Sequence, residues 1–214
     1  MKMLSPGQTS ALLKKHNIPA VKQFLAVSEK HAVTFAKRLG FPVVMKISSP
    51  EIIHKTDSKG VLTGVSNEKE VSSAYETILK NAKKHNPKAR IDGVLVQQQL
   101  EGREVIIGAK QDPQFGPVLM FGLGGIFVEV LKDVSFRLIP IQQKDAREMI
   151  SEIKGYPLLA GIRGEKPINF KKLESALLAV SKLVEKTPKI KELDINPLFA
   201  SPNGAWAADV RILI

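Results

Sequence analysis

The chain contains no cysteine in 214 residues, and only one tryptophan and two tyrosines. Without thiols there is neither a disulfide framework nor a thiolate metal site. A reducing cytoplasm is the expected compartment, although a cysteine-free chain also suits a hot habitat. So few tyrosines and tryptophans leave little for nucleobases to stack on, and no helix-turn-helix, zinc-finger or RNA-stacking motif is present, so nucleic acid is not an expected partner. No apolar run approaches a membrane span, and Met1-Lys-Met-Leu-Ser-Pro6 lacks the apolar centre of a secretory leader, so no membrane association is expected. Acidic residues are also scarce at one end. Residues 1–100 hold 16 Lys/Arg against 7 Asp/Glu, whereas residues 101–214 hold 16 against 14, so most of the net charge of +11 sits in the first half. Such a half either solvates its helices with lysine or meets a polyanion such as nucleotide phosphate, coenzyme A or an acidic partner.

What is present is an ordinary globular composition, 43% hydrophobic and 25% charged. Helices are expected from Ser5 to about His16, from Ser28 to a stop at Gly40, from a capping box at Asn67-Glu-Lys-Glu70 to about Lys84, over Gln143–Lys154, and over Ile168–Lys186. Strands are expected at Val43–Ile47, Val61–Val65, Gly116–Phe121 and Val134–Ile141. Val94–Leu100 and Glu104–Gln111 read as a hairpin around Glu101-Gly102. Two further strands, Glu192–Ala200 and Ala205–Ile212, flank the turn Ser201-Pro-Asn-Gly204. This mixture predicts an α+β fold: one domain over 1–214, divided near residue 93 into lobes 1–93 and 94–214.

Chemistry concentrates first in Phe41–Val61. The β-branched run there ends at Lys46, and eight residues later His54 opens the polar loop Lys55-Thr-Asp-Ser-Lys-Gly60. A cation at a strand end beside a glycine-bearing turn can hold phosphate. A neutral imidazole in the same loop can attack phosphorus and later release it, although a lone loop histidine is often structural. His16, His31 and His85 lie on or at the ends of helices and read as surface groups.

The C-terminal hairpin is the second concentration. With Ser201–Gly204 at its tip, Asn196 faces Asp209 and Asp194 faces Arg211, all four on one side of the ribbon, with Leu193, Ile195, Val210 and Ile212 on the other. Opposed residues have Cβ atoms roughly 5 Å apart, within reach of one ion. An amide oxygen and a carboxylate are hard ligands suited to Mg²⁺, and the alternative is a solvated ribbon with an Asp194–Arg211 ion pair. Gly122-Leu-Gly-Gly125 is neither a Walker A loop nor a dinucleotide fingerprint and reads as a tight turn or a close backbone approach. Gln97-Gln-Gln99 could present backbone groups to an adenine, with Glu104 reaching a ribose hydroxyl, or could be an exposed edge.

Over nearly its whole length the chain resembles the β subunit of ADP-forming acetyl-CoA synthetase (acetate–CoA ligase, ADP-forming), a relative of succinyl-CoA synthetase with the ATP-grasp fold. The resemblance rests on Gly40-Phe-Pro-Val-Val-Met-Lys46, Ile53-His-Lys-Thr-Asp57, Glu104-Val-Ile-Ile-Gly108, Asp112-Pro-Gln-Phe-Gly-Pro117, Gly122-Leu-Gly-Gly-Ile-Phe-Val-Glu129, Glu192-Leu-Asp-Ile-Asn-Pro-Leu198 and Asp209-Val-Arg211. It implies two lobes with ATP or ADP bound between them. Lys46 would contact the phosphates, and the loop with Asp57 and Gly60 would cover them. Gln97, Gln99 and Leu100 would recognise adenine, and Glu104 the ribose. Asn196 and Asp209 would hold Mg²⁺. His54 would relay a phosphoryl group, with Asp194 in support, and the partner would be a CoA-binding α subunit in an α2β2 heterotetramer. Where the family loop reads Asp-x-Gly-Gly-Val, this chain has Asp57-Ser-Lys-Gly-Val61, placing Lys59 at a glycine position. Two rivals remain open at this point: an ATP-grasp ligase that makes an acyl phosphate without a phosphohistidine, and a basic nucleotide- or nucleic-acid-binding module without turnover.

Overall fold

Alternate side chains of a strand share a face, so Val43, Met45 and Ile47 point one way from a single strand, and all three are fully buried. The computed structural model describes residues 2–52, 55–125, 132–162 and 164–214. In chain order the elements are α1 (Pro6–Lys15), β1 (Gln23–Ala26), α2 (Glu29–Leu39), β2 (Val43–Ser48), β3 (Val61–Val65), α3 (Glu68–His85), β4 (Gly93–Gln98), β5 (Arg103–Asp112), β6 (Gly116–Leu123) and β7 (Val134–Leu138). These are followed by α4 (Gln143–Ser151), α5 (Tyr156–Ala160), α6 (Phe170–Lys186), β8 (Glu192–Ser201), β9 (Gly204–Ala207) and β10 (Val210–Leu213).

The chain divides into two compact units, Val21–Leu100 and Met1–Ala20 with Glu101–Ile214. In the first, an antiparallel sheet of order β1-β4-β2-β3 is covered on one face by α2 and α3. Ser28 Oγ accepts the His31 amide at the start of α2, and Asn67 Oδ1 accepts the Glu70 amide at the start of α3. The inner stripe of α3 is Val71, Ala74, Tyr75, Ile78 and Ala82, the three-and-four spacing of a one-sided helix. These pack with Ala32 and Ala36 of α2 against Val43, Met45, Ile47, Val94 and Val96.

The second unit is built on an antiparallel sheet of order β10-β8-β5-β6-β7, with β9 also on β8. Its core joins Val105, Ile107, Leu119, Phe121, Leu193 and Ile195 of the sheet to Leu173, Leu177, Val180 and Val184 of α6. Each such buried aliphatic contributes about 1.5–3 kcal/mol of transfer free energy. Polar groups on buried faces are matched: Ser181 Oγ accepts the Ile141 amide, and Glu174 of α6 takes Arg147 Nε at 3.3 Å and the Gln143 carboxamide. The N-terminal residues extend the β10 edge through Lys2–Ile214 and Leu4–Ile212 backbone bonds.

The α+β expectation agrees with these elements, and several details differ. Val94–Leu100 and Glu104–Gln111 are not a hairpin. β4 pairs with β1 and β2, whereas β5 pairs with β6 and β8 in the other sheet. The change of unit therefore falls after Leu100 rather than near residue 93. Gly102 there lies against β8, where a Cβ would sit 2.7 Å from the Ala200 carbonyl oxygen. The expected helix 143–154 ends at Ser151, because the Asp133 carboxylate takes the Lys154 and Gly155 amides at 2.7 Å each and α5 starts anew. Strand β1 was not expected, and the expected strand 205–212 is divided at Ala208-Asp209. Among the described residues no helix is long and apolar enough to cross a membrane.

Two substitutions probe these units. Lys59 is exposed with φ of 49°, a left-handed conformation costing a residue with a Cβ roughly 1–2 kcal/mol. Glycine there removes that cost and adds unfolded-state freedom in return, so K59G should gain about 0.5–1 kcal/mol and raise the thermal midpoint by roughly 1–4 °C. A lower midpoint would refute the strain assignment. In the other unit Arg137 holds Glu152 through two bonds, Nη1–Oε1 at 2.9 Å and Nη2–Oε2 at 2.8 Å, tying β7 to α4. This guanidinium keeps the Glu152 carboxyl below the ordinary carboxylate range. The native state binds that proton less readily than the unfolded chain, so the contribution is complete above the unfolded value and lost as pH falls through the lowered native one. E152Q should cost about 0.5–1 kcal/mol at neutral pH and nothing once the carboxyl is protonated in acid. An equal loss at both ends of a urea-unfolding pH series would contradict this.

Candidate functional site

In the Val21–Leu100 unit the candidate residues lie on the sheet face turned away from α2 and α3. Lys46 is half-buried there, opposite Leu95 of β4 and Val61 of β3. Val44, Ser48, Leu95 and Gln97 share that face and are all buried. Gln97 faces Val44 and Gln23, and its Nε2 donates to Gln23 Oε1 at 3.1 Å. Gln99 Oε1 accepts the Gly64 amide at 2.7 Å, next to the register shift between β2 and β3. Side-chain contacts thus hold both glutamines in place, and Leu100 is half-buried directly after them.

His54 lies outside the described residues, but the turn that follows it is defined. Gly60 N–H donates to the Lys55 carbonyl at 2.8 Å, Lys59 N–H to the Thr56 carbonyl at 2.9 Å, and Ser58 Oγ to the Lys55 carbonyl at 2.8 Å. The Gly60 carbonyl accepts the Ile47 amide at 2.8 Å, closing the turn on the end of β2. A Cβ on Gly60 would stand 2.6 Å from Ile47 Cγ2, so glycine is required here for close approach. The Lys59 and Gly60 amides are engaged inside the turn. A phosphate beside it would meet other groups, among them the exposed side chains of Asp57 and Lys59.

In the other unit, β8 organises the candidate metal ligands. Asp194 pairs with Arg211 and Ile195 with Val210, as the sequence register requires, and Leu198 pairs with Ala207. Between these ladders Asn196 N–H donates to the Asp209 carbonyl and Ala208 N–H to the Pro197 carbonyl, each at 3.0 Å. On the opposite edge of β8, Val105 pairs with Leu198 but Ile107 pairs with Ile195, so Asn196 and Pro197 together oppose Ile106. This is a β-bulge. Leu193, Ile195 and Ile212 turn into the core, whereas Asp194, Asn196, Asp209 and Arg211 are half-buried. A carboxamide oxygen and a carboxylate on adjacent backbones suit Mg²⁺, which keeps several water or phosphate ligands. Among the described residues no group of three or more His, Cys, Asp or Glu forms a metal cage. The residues fit a cation that is shared with its ligand.

Glu104 is exposed, opposite Phe199 on β8. Its carbonyl accepts the Gly124 amide at 2.8 Å, and a Cβ on Gly124 would lie 3.1 Å from the Glu104 Cβ. A Cβ on Gly125 would lie 3.5 Å from Glu104 Oε2. Gly122-Leu-Gly-Gly125 is thus a close approach of backbone to Glu104, one of the two readings its composition allowed. Gln23 went unrecognised in the sequence, although Val21-Lys-Gln-Phe-Leu-Ala-Val27 carries the apolar signal of a short strand.

The ATP-grasp domain family matches the chain over residues 1–214. The acetate–CoA ligase (ADP-forming) I subunit beta of Pyrococcus furiosus is 50% identical over 208 residues, covering 97% of this chain and 90% of that protein. The structure of acetyl-coenzyme A synthetase 1 of Candidatus Korarchaeum cryptofilum, in complex with coenzyme A, Ca-AMPCP and HgCl+, matches with a TM-score of 0.96 at 43% identity, over 100% of this chain and 93% of that one. The same synthetase with coenzyme A and Mg-AMPPCP, its phosphohistidine segment pointing towards the nucleotide-binding site, gives 0.86 at 38% identity over the same shares. The chain therefore belongs to the ATP-grasp family and, within it, to the β subunits of ADP-forming acetate–CoA ligases.

Proposed function

We propose that this chain is the nucleotide-binding subunit of an ADP-forming acyl-CoA synthetase and moves a phosphoryl group reversibly between His54 and ADP. The observation that carries this reading is the match over the whole chain to a synthetase solved with Mg-AMPPCP and a phosphohistidine segment directed at its nucleotide site. In the direction of ATP synthesis a terminal oxygen of ADP attacks the phosphorus on His54. The P–N bond breaks, and its electron pair returns to the imidazole. The complete enzyme then performs acyl-CoA + ADP + phosphate ⇌ carboxylate + CoA + ATP, with a CoA-binding α subunit as partner in an α2β2 assembly.

Phosphoryl transfer asks a protein mainly for positioning and charge neutralisation. Lys46, on the face of β2 turned away from α2 and α3, supplies a cation for phosphate. Gln97, Gln99 and Leu100 form the adenine-binding strand end, whose shape the Gln97–Gln23 and Gln99–Gly64 bonds support. Glu104 serves the ribose, and Asp57 and Gly60 belong to the phosphate loop. Asn196 and Asp209 would hold Mg²⁺, which when bound neutralises charge on the nucleotide phosphates. Asp194, two residues before Asn196 on β8, would be the residue that supports the histidine.

The relay reading predicts acid-labile, alkali-stable phosphate on His54 when the chain and its α subunit are incubated with Mg-ATP. Intact mass under alkaline conditions should show one added phosphoryl group, absent in H54A. A fully active complex without that adduct would instead favour direct acyl-phosphate formation. The metal assignment predicts that D209N loses about 10–100-fold in phosphorylation rate at low Mg²⁺, the scale on which metal sites respond to lost ligand support, with partial recovery in excess Mg²⁺. Unchanged Mg²⁺ dependence in D209N would remove Asp209 from the site.

A further inference from the structure

The side chain of Asn81 reaches out of α3 to a residue 22 positions earlier: its Nδ2 donates to the Lys59 carbonyl at 3.0 Å. Asparagine is a weak helix former, and Asn81 stands beside the core stripe of α3 rather than in it, half-buried between Ile78 and Ala82. Its helix gains little from it. Its recipient is an unusual backbone. Lys59 is in the left-handed region, two residues before the strand that begins at Val61. The Lys59 and Gly60 amides are both spent inside the turn, and Ser58 is buried with its hydroxyl on the Lys55 carbonyl. Gly60 presses the turn against Ile47 of β2. The turn is thus attached to the sheet through Gly60 and to α3 through Asn81, and Lys55 at its start directly follows His54.

We infer that Asn81 is a positioning residue for phosphoryl transfer at His54, acting through the Lys59 carbonyl to hold the Lys55–Gly60 turn. The inference rests on the His54 reading above. Losing one such hydrogen bond weakens the productive arrangement by a factor of about five to ten.

The test is single-turnover phosphorylation of His54 from Mg-ATP, in the full chain with its α subunit, quenched in alkali. N81A, and N81D, which is nearly isosteric but lacks the amide donor, should each slow the step about five- to tenfold. Mg-ATP affinity should stay within about twofold of wild type, so the loss falls on rate rather than on binding. N81Q keeps the donor and should retain at least half the rate. Wild-type rates in N81A and N81D overturn the inference while leaving the phosphohistidine reading intact. A loss expressed wholly as weaker nucleotide binding, or an equal loss in all three variants, also overturns it, because position rather than the donated bond would then be responsible. If wild type takes no acid-labile phosphate on His54, the underlying reading fails and the inference falls with it.

Discussion

The register of β8 is the constraint from which the candidate metal site follows. One strand must satisfy two neighbours at once: β5 on one edge, β9 and β10 on the other. Toward β9 and β10 the pairing keeps one register from Leu193 to Ser201, while toward β5 it slips by one residue at Asn196-Pro197. The slip changes which side chains face inward: Leu193 and Ile195 are buried before it, Leu198 and Ala200 after it. Asn196 and Pro197 are the residues released from alternation. A polar residue can occupy this strand without being driven into the core, and Asp209 comes beside it through the Asn196–Asp209 backbone bond.

The same sorting of side chains between two faces recurs around β2. Val43, Met45 and Ile47 satisfy the two helices, and the alternation that buries them puts Lys46 on the other side. A lysine there costs the core nothing. Its neighbours Leu95, Val44 and Gln97 are buried, so its surroundings are drier than those of a lysine on a surface helix. A cation is more effective on phosphate in such surroundings than in bulk water.

Much of this was legible from residues alone, for local reasons. Ser28 and Asn67 cap helices with their own side chains, and Ser201-Pro-Asn-Gly204 determines a turn, so α2, α3 and the Asp194–Arg211 pair could be read without knowing what lies around them. What could not be read depends on distant partners. Val94–Leu100 and Glu104–Gln111 look like a hairpin because both are apolar and a glycine separates them, yet each finds a different sheet. Asp133 ends the helix after Ser151 by capturing two amides from more than twenty residues away. Among candidate site residues, Asn196 and Asp209 followed from pairing, whereas the Gln97–Gln23 and Asn81–Lys59 contacts span 74 and 22 residues and leave no periodic trace.

Lys59 shows why one departure from the family loop is tolerable where its neighbour would not be. Two glycines stand together in the family pattern, but the structure asks different things of the two positions. At Gly60 the demand is steric: a Cβ would meet Ile47 at 2.6 Å and Ser58 Oγ at 2.8 Å. At position 59 the demand is conformational only. The side chain points to solvent, φ is 49°, and the main-chain groups are held by Thr56 and Asn81. A lysine there accepts a backbone cost of roughly 1–2 kcal/mol and clashes with nothing. It also adds an exposed positive charge to the turn. The first glycine of the pair can therefore be exchanged for a cation and the second cannot.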